Sequence, residues 1–549
     1  MATSTPKLRK DVSTLSQSEM DTLIKAFQHI CYELPPDDEN SFQVIAGYHG
    51  MPFRGAGWGD PSPAWWGGYC NHGNILFPTW HRAYVLRLEL ALRTAPGCED
   101  LAMPYWNELA KTVGPDPENP EQQKTTYSGT VPDIFLQKTY TFADGKTTIA
   151  NPLYSYQLQK SIVDNTTDAS TAGSGNYTKT KGYQTVRYPF SGLVSGGDIA
   201  ATNAHNKTLA QLGDTVTTQL LTKNVSNWLN QEYYINDLGK KTRAGVGHNF
   251  EQCLLAPNYT VFSNTTSAKA WNDDHMDDPG FVPVEPLEDP HNQIHLAVGG
   301  FEVPSQGDTD SYAGANGDMG ENETAAFDPI FFFHHCFIDY MFWRWQVLHD
   351  ATERLDPELP KGKDVPIHFP GTNSSDSQGP TPGVAANSWL SLDSPLDPFS
   401  KATPEGKKVP MVSRDVTDIK QLGYLYPEVH APIKEVLPGN KAAPILRVSG
   451  ANRAAVNGSF VVSTWAKGSA DGSQPDQLIH TKAVLSRWHV SGCANCQTHL
   501  NVSSHVPLTG FSHSDANSTQ FFSKIHSHGN MKGEVHDGMD FKVGKNAEH

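Results

Sequence analysis

Two stretches decide how this chain is read: Glu288-Asp289-Pro290-His291-Asn292-Gln293-Ile294-His295, and Phe327-Asp328-Pro329-Ile330-Phe331-Phe332-Phe333-His334-His335-Cys336-Phe337-Ile338-Asp339. In the first, Asp289 suits an N-cap and Pro290 the first helical position, so a helix is expected to start there. His291 and His295 then lie four apart on one face, where both imidazoles reach one metal ion. A zinc peptidase needs Glu directly after the first histidine; Asn292 stands there, and that reading fails. In the second stretch Asp-Pro again opens a helix, now with an aromatic interior. Burying imidazole beside Phe331, Phe332, Phe333 and Phe337 is costly unless both ring nitrogens find partners, and a metal plus a hydrogen bond supplies both. Adjacent helical residues point about 100° apart, so one of His334 and His335 should face a given metal.

A third segment adds His49 and the run Tyr69-Cys70-Asn71-His72-Gly73-Asn74-Ile75-Leu76-Phe77-Pro78-Thr79-Trp80-His81-Arg82, with Trp65 and Trp66 close by. His72 falls in a Gly/Asn loop and His81 near the start of a helix reaching Arg93. Two all-imidazole sites result. Imidazole suits copper, zinc, iron or nickel, and the lack of carboxylates disfavours magnesium and calcium. Paired three-histidine sites with no bridging carboxylate in either motif point to copper rather than di-iron.

The remaining sequence bounds the class. The 549 residues carry a net charge of -17, which argues against nucleic acid or an anionic membrane as main partner. No apolar run reaches the ~20 residues of a membrane helix, and MATSTPKLRKDVSTLSQ shows no secretory signal. Seven cysteines are an odd, sparse set that suits a reducing compartment, so a cytoplasmic protein is expected. Sequons at Asn165, Asn176, Asn258, Asn264, Asn322 and Asn373 point the other way. Leu15–Tyr32, Arg82–Arg93 and Thr215–Leu229 have helical patterning, and residues 280–350 turn helical again. Residues 111–240 mix loops with short helices, and the Pro/Ser/Gly-dense residues 351–420 are expected to be a long surface excursion. After about residue 430, short β-branched runs broken by Gly and Asn suggest a separate β domain.

The motif His72-x4-Phe77-Pro78-Thr79-Trp80-His81-Arg82, followed by Glu89, resembles the CuA signature of tyrosinases and related polyphenol oxidases. Asp328-Pro329-x-Phe331-x3-His335-x3-Asp339, preceded by His291-x3-His295, resembles their CuB signature. The likeness closes at Tyr424-Leu425-Tyr426, similar to the Tyr-x-Tyr marker ending fungal catalytic domains, and the tail resembles the shielding domain of fungal pro-tyrosinases. It implies a mainly α catalytic domain over 1–430, with a central four-helix bundle holding a dicopper site, and a C-terminal β-sandwich-like shielding domain over 431–549. It implies two copper ions, with dioxygen as bound co-substrate and small phenols as substrates. The implied ligands are His49, His72 and His81 for one copper, and His291, His295 and His335 for the other, with His334 a non-ligand neighbour.

Further expectations follow from the same likeness. Cys70 would form a thioether with His72. Glu288 and Asn292 would hold the water that takes the phenolic proton, which tilts the reading toward monophenol ortho-hydroxylation as well as o-diphenol oxidation to o-quinones. Asp339 lies one turn beyond His335, with Arg82 as its expected partner. Cys493 and Cys496 have the spacing of a copper-loading pair, and Val484–His489 would supply the side chain that blocks the mouth of a latent enzyme. The competing readings are a catechol or o-aminophenol oxidase without monophenolase activity and a haemocyanin-like dioxygen-binding protein. The single unit argues against the latter. Oligomeric state stays open, a homo-oligomer included.

Overall fold

The computed structural model describes the chain except residues 1–4, 51–67, 117–118, 163–177, 195, 236–239, 305–313, 356–388, 428–442, 470, 489, 491–495, 497–498 and 546–549. Trp65, Trp66, Asn165, Asn176, Asn373, His489 and Cys493 therefore lie outside the described residues, as does the expected domain boundary near 430.

The helices are α1 (Gln17–Gln28), α2 (Phe42–Gly47), α3 (Phe77–Leu92), α4 (Asp198–Ala210), α5 (Asp214–Leu229), α6 (Val246–Cys253), α7 (Tyr259–Ser263), α8 (Thr265–His275), α9 (Glu288–Gly299) and α10 (Ile330–Leu348). Helix α1 starts at a capping box in which Ser16 and Glu19 exchange side-chain and backbone hydrogen bonds. Helix α9 begins one residue before the expected cap: Leu287 stands at the N-cap without a side-chain bond, and Asp289 is inside the first turn. Its carboxylate is instead engaged by Lys482, far along the chain. At α10 the expected start holds, with Asp328 accepting from the Ile330 N–H at 3.1 Å while Arg187 grips the same carboxylate through two nitrogens.

Helices α3 and α10 form the centre. Both are buried nearly all round, as their sequences demand. Phe331, Phe332 and Phe333 are fully inside, each contributing roughly 1.5–3 kcal/mol of burial. Buried indoles keep their N–H groups satisfied: Trp80 donates to the Asp397 carbonyl at 2.8 Å, and Trp345 to that of Ala256 at 3.0 Å.

Strand β1 (Lys7–Leu8) pairs in parallel with β10 (Tyr424–Leu425), closing the two ends of the helical part behind α10. Three small hairpins lie in the middle region read as loops and helices: β2 (Lys111–Pro115) with β3 (Gln123–Tyr127), β4 (Thr139–Thr141) with β5 (Thr148–Ala150), and β6 (Glu232–Ile235) with β7 (Lys240–Arg243). The expected surface excursion needs correction. Within 389–420, β8 (Pro395–Ala402) and β9 (Lys408–Val412) form a hairpin whose Phe399 lies 5.3 Å from the Trp80 ring and is buried, so this segment caps α3.

Beyond residue 442 the chain is strand-rich. One antiparallel sheet has the order β14 (Asn501–Pro507), β11 (Ile445–Asn452), β17 (Asp540–Val543). A second runs β13 (Gln477–Val484), β12 (Phe460–Ala466), β15 (Phe521–Ser527), β16 (Asn530–Val535). Leu446, Val448 and Val506 of the first share a hydrophobic cluster with Ala466 and Ile479 of the second. Val461, Ala483 and Leu485 instead join the main core of the helical part, so the C-terminal unit is seated on it by apolar contact as well as by charge. No helix among the described residues is long and apolar enough to cross a membrane.

The sequons take a different meaning in three dimensions. Asn258 and Asn264 are buried caps of α7 and α8, and Asn322 is buried against Cys70. Asn is a favoured helix cap, which is the role of Asn258 and Asn264, and all three side chains are buried in the folded chain.

Candidate metal centre

Two groups of side chains are arranged to hold metal ions: His49, His72 and His81, and His291, His295, His334 and His335, all buried. Helix α2 ends just before His49, a loop carries His72, and α3 carries His81. Helix α9 supplies His291 and His295, and α10 the other two. The groups adjoin: the His81 and His335 rings stack at 4.5 Å, and His72 lies 5.6 Å from His291.

The hydrogen bonds set which ring nitrogen is free. The Nδ1 atoms face carbonyl or amide oxygens: His49 the Asn322 carbonyl at 3.0 Å, His81 that of Phe77 at 2.8 Å, His295 that of Met319 at 2.8 Å, and His291 the Asn292 Oδ1 at 2.9 Å. Each Nδ1–H donates there, leaving an Nε2 lone pair for a metal. The His49 and His81 Nε2 atoms are buried with no hydrogen-bond partner among the described residues. The Nε2 atoms of His291 and His295 converge on that of His335 at 3.3 and 3.2 Å. Imidazoles so close, in a dry pocket, fit a cation between them and little else. Burial keeps them neutral, outweighing the hydrogen bonds to Phe77 and Met319 that favour the charged form: His81 is pushed down to about 3 and His295 to about 4.

His334 falls within the second group despite its helical offset. Its Nδ1 is turned to Glu108 at 2.6 Å, a carboxyl that burial pushes far above its usual range. Glu108 was missed from sequence, where nothing distinguishes it from a surface acid. Phe331 lies one turn before His335 and stacks on it at 4.0 Å, fixing the ring.

Glu288 faces the His72 loop and the first residue of α8. Its Oε1 accepts from Gly73 N–H at 2.8 Å and its Oε2 from Thr265 N–H at 2.9 Å, while burial raises its carboxyl above the ordinary value. Gly73 has φ +65°, and a Cβ there would meet the His499 ring at 2.6 Å, so only glycine fits. Below the site, the expected Arg82–Asp339 pair is present and larger than foreseen. Arg9 also reaches Asp339 at 3.0 Å and Glu89 at 2.8 Å, and the hydroxyls of Tyr424 and Tyr426 each donate to Asp339 at 2.7 Å. The Tyr-x-Tyr motif thus supplies two hydroxyls to a buried charge cluster that ties α10 to α3 and to Arg9, just past β1.

From the C-terminal unit, Arg487 is buried and its Nη2 approaches Cys70 Sγ at 3.2 Å, with Nη1 3.9 Å from Glu323. Trp488 Nε1 donates to Glu321 at 2.9 Å. Cys496 is disulfide-bonded, so in this state its sulfur is no free thiolate ligand, and the reading of all seven cysteines as a reduced set is corrected at this position. Cys31, Cys70, Cys98, Cys253 and Cys336 are free and buried.

A helical scaffold carrying adjacent, neutral, all-histidine groups defines a protein with a paired metal centre. The family model described as the common central domain of tyrosinase matches residues 39–348. A tyrosinase of Aspergillus oryzae is 44% identical over 96% of this chain and 94% of its own length. Among solved structures, the tyrosinase of Burkholderia thailandensis at low pH is 37% identical, covers 98% of this chain and 100% of its own, and superposes with TM-score 0.76. The holo-protyrosinase of Aspergillus oryzae is similar in fold alone, at 19% identity and TM-score 0.62 over 98% of this chain and 92% of its own. The chain belongs to the tyrosinase family and is a tyrosinase enzyme, which uses a dicopper site and dioxygen on phenolic substrates.

Proposed function

We propose that this chain ortho-hydroxylates monophenols and oxidises o-diphenols to o-quinones, and that it is made latent, its C-terminal unit covering the dicopper site. The observation that carries the chemistry is the pair of adjacent histidine groups whose Nδ1 hydrogen bonds aim the Nε2 lone pairs inward. His49, His72 and His81 would hold one copper, and His291, His295 and His335 the other; His334, tied to Glu108, stays a neighbour. Helices α2, α3, α9 and α10 are read as the four-helix bundle around them, residues 1–430 as the catalytic domain, and 431–549 as a β-sandwich shield.

Bound copper supplies dioxygen activation; the protein does the rest. Asn292 accepts from His291 Nδ1–H and so sets that ring's tautomer. Glu288, whose carboxyl burial raises above its ordinary value, would take the phenolic proton through a water shared with Asn292. The Glu288 contacts to Gly73 and Thr265 fix the loop before α3 against α9, so acceptor and substrate bed move as one. The aromatic walls Phe77, Trp80 and Phe331 exclude water from the reacting centre.

Cys70 is buried two residues before His72, which suits the thioether that would pin that ring. For latency, Arg487 is the inserted side chain, inside the stretch Val484–His489 picked from sequence. A reduced Cys493–Cys496 pair would serve copper loading, and the protein is read as cytoplasmic. Tyrosine and catechol turnover by copper-loaded full-length chain, before and after C-terminal trimming, tests the reading. Catechol turnover without tyrosine turnover would make it a catechol oxidase, and copper binding without either would make it a dioxygen carrier.

A further inference from the structure

A short turn, Asp318–Gly320, leads into Glu321-Asn322-Glu323, and this segment touches both histidine groups. Met319 offers its carbonyl to His295 Nδ1 at 2.8 Å, and Asn322 offers its carbonyl to His49 Nδ1 at 3.0 Å. Two carbonyls from one stretch of chain thus fix the tautomer of one ring in each group. The backbone is pressed close on both sides. A Cβ at Gly299, the last residue of α9, would collide with the Gly320 backbone, and one at Gly50, next to His49, with that of Glu323. Glycine at both places lets the segment lie directly against the chain that carries the ligands.

The two carbonyls are held from different directions. Before Met319, Asp318 is anchored within the helical part: the Tyr183 hydroxyl donates to it at 2.6 Å, Val186 N–H at 2.8 Å, and Lys179 lies 2.9 Å away. On either side of Asn322, the buried Glu321 and Glu323 face the C-terminal unit. Trp488 Nε1–H donates to Glu321 at 2.9 Å, His528 Nε2 stands 2.8 Å from the other Glu321 oxygen, and Arg487 approaches Glu323 at 3.9 Å. The Trp488 and His528 rings stack with 9° between their planes, and His528 also packs on Phe301, just past α9, at 4.6 Å. Buried carboxylates depend on such partners, because losing one strands charge in a dry site.

We propose that Glu321 and Glu323 are positioning residues through which the C-terminal unit sets the Asn322 carbonyl, and with it the His49 ring, while Asp318 sets His295 from within the helical part. The unit then acts on the metal centre as well as lying over it. This role rests on the proposed ligand set, with His49 a ligand, and holds whether or not the enzyme is latent. Its signature is asymmetry. Loosening the Glu321 contacts should disturb the ion held by His49, His72 and His81 and spare the other, and loosening Asp318 should do the reverse.

The test times copper transfer to the Cu(I) chelator bicinchoninate, after reduction with ascorbate, in two full-length backgrounds. His291→Ala should keep only the ion of the His49 group and His81→Ala only the other. In His291→Ala, adding Trp488→Phe, which keeps an aromatic ring against His528 and removes the donor, should speed transfer several-fold. Adding Glu321→Ala there should speed it about tenfold, the loss of one charge-assisted contact. In His81→Ala the same changes should leave the rate unaltered, whereas Tyr183→Phe should raise it. Solvent exchange of the ring Nδ1–H protons, followed by NMR in the metal-free chain, makes the same comparison without copper: Trp488→Phe should quicken exchange at His49 and not at His295. Equal acceleration in both backgrounds would mean that the contacts only keep the unit closed over the site, and it overturns the positioning role, as does no change in either. If either background still binds two coppers per chain, the ligand set itself is wrong, and the failure is that of the proposed function.

Discussion

Replacing Arg487 with alanine should raise the activity of the intact chain. Arg487 is the C-terminal unit's deepest cation, placed 3.2 Å from Cys70 Sγ and 3.9 Å from a Glu323 oxygen, and it acts electrostatically on His49 and His72. Removing it deletes charge-assisted contacts worth about 1.5–3 kcal/mol together, and leaves Glu323 short of its cation. If those contacts exist only in the covered state, the open population rises by roughly 10- to 100-fold. The assay is the initial rate of catechol oxidation by copper-loaded intact protein, normalised to copper content and to the rate after trimming. Arg487→Lys, which keeps the charge but loses the planar fork, should fall between. The reasoning is refuted if Arg487→Ala leaves the intact rate unchanged while trimming still activates parent and variant alike. Latency would then reside in other contacts.

Other outcomes follow from the same structure. Asp339→Ala would strand the buried Arg9 and Arg82 guanidinium groups, costing about 3–5 kcal/mol, read as a lowered Tm by calorimetry. Asn292→Ala should cut tyrosine hydroxylation about tenfold or more while catechol oxidation falls less, because only the former needs the phenolic proton placed; equal losses would reduce Asn292 to a prop for His291. His81→Ala should lower bound copper from two ions per chain toward one, measured by elemental analysis against protein. Acid should loosen the C-terminal unit. Its His480 is held down to about 3 by burial, so the unfolded form takes up protons first, and stability drains as pH falls from about 6.5 toward 3. Asp273, held below its usual value by its hydrogen bonds to His505 and Arg447 against the opposing effect of burial, contributes stability above about pH 4 that is lost below it. Activity assayed at neutral pH after brief acid steps should rise across this window, and a flat profile would dismiss both groups.

The metal chemistry was legible because it is local. His291 and His295 share a helix face by spacing alone, and His335 with Phe331 and Asp339 lies on one stripe of the next helix. The pairing of Arg82 with Asp339 could be anticipated; the entry of Arg9, Tyr424 and Tyr426 into it could not, because β1 and β10 meet only after the whole helical part has closed. Glu108 was invisible for the same reason: 226 residues separate it from His334. The hairpin of β8 and β9 was misread because its Pro and Ser composition mimics a loop, while its one decisive residue, Phe399, declares itself only against Trp80.

Short-period patterns in the sequence are enough to mark two histidine-rich segments on helices and a β-rich tail after a helical body, and the structure gathers those histidines into two buried groups, one of three and one of four. Tertiary structure decided which ring nitrogens are free, that His334 is held by Glu108, and that Arg487 enters from the tail toward Cys70. It also placed Asn258 and Asn264 as buried helix caps. These depend on contacts between residues far apart in the chain, and a linear pattern holds no record of the distance at which they meet.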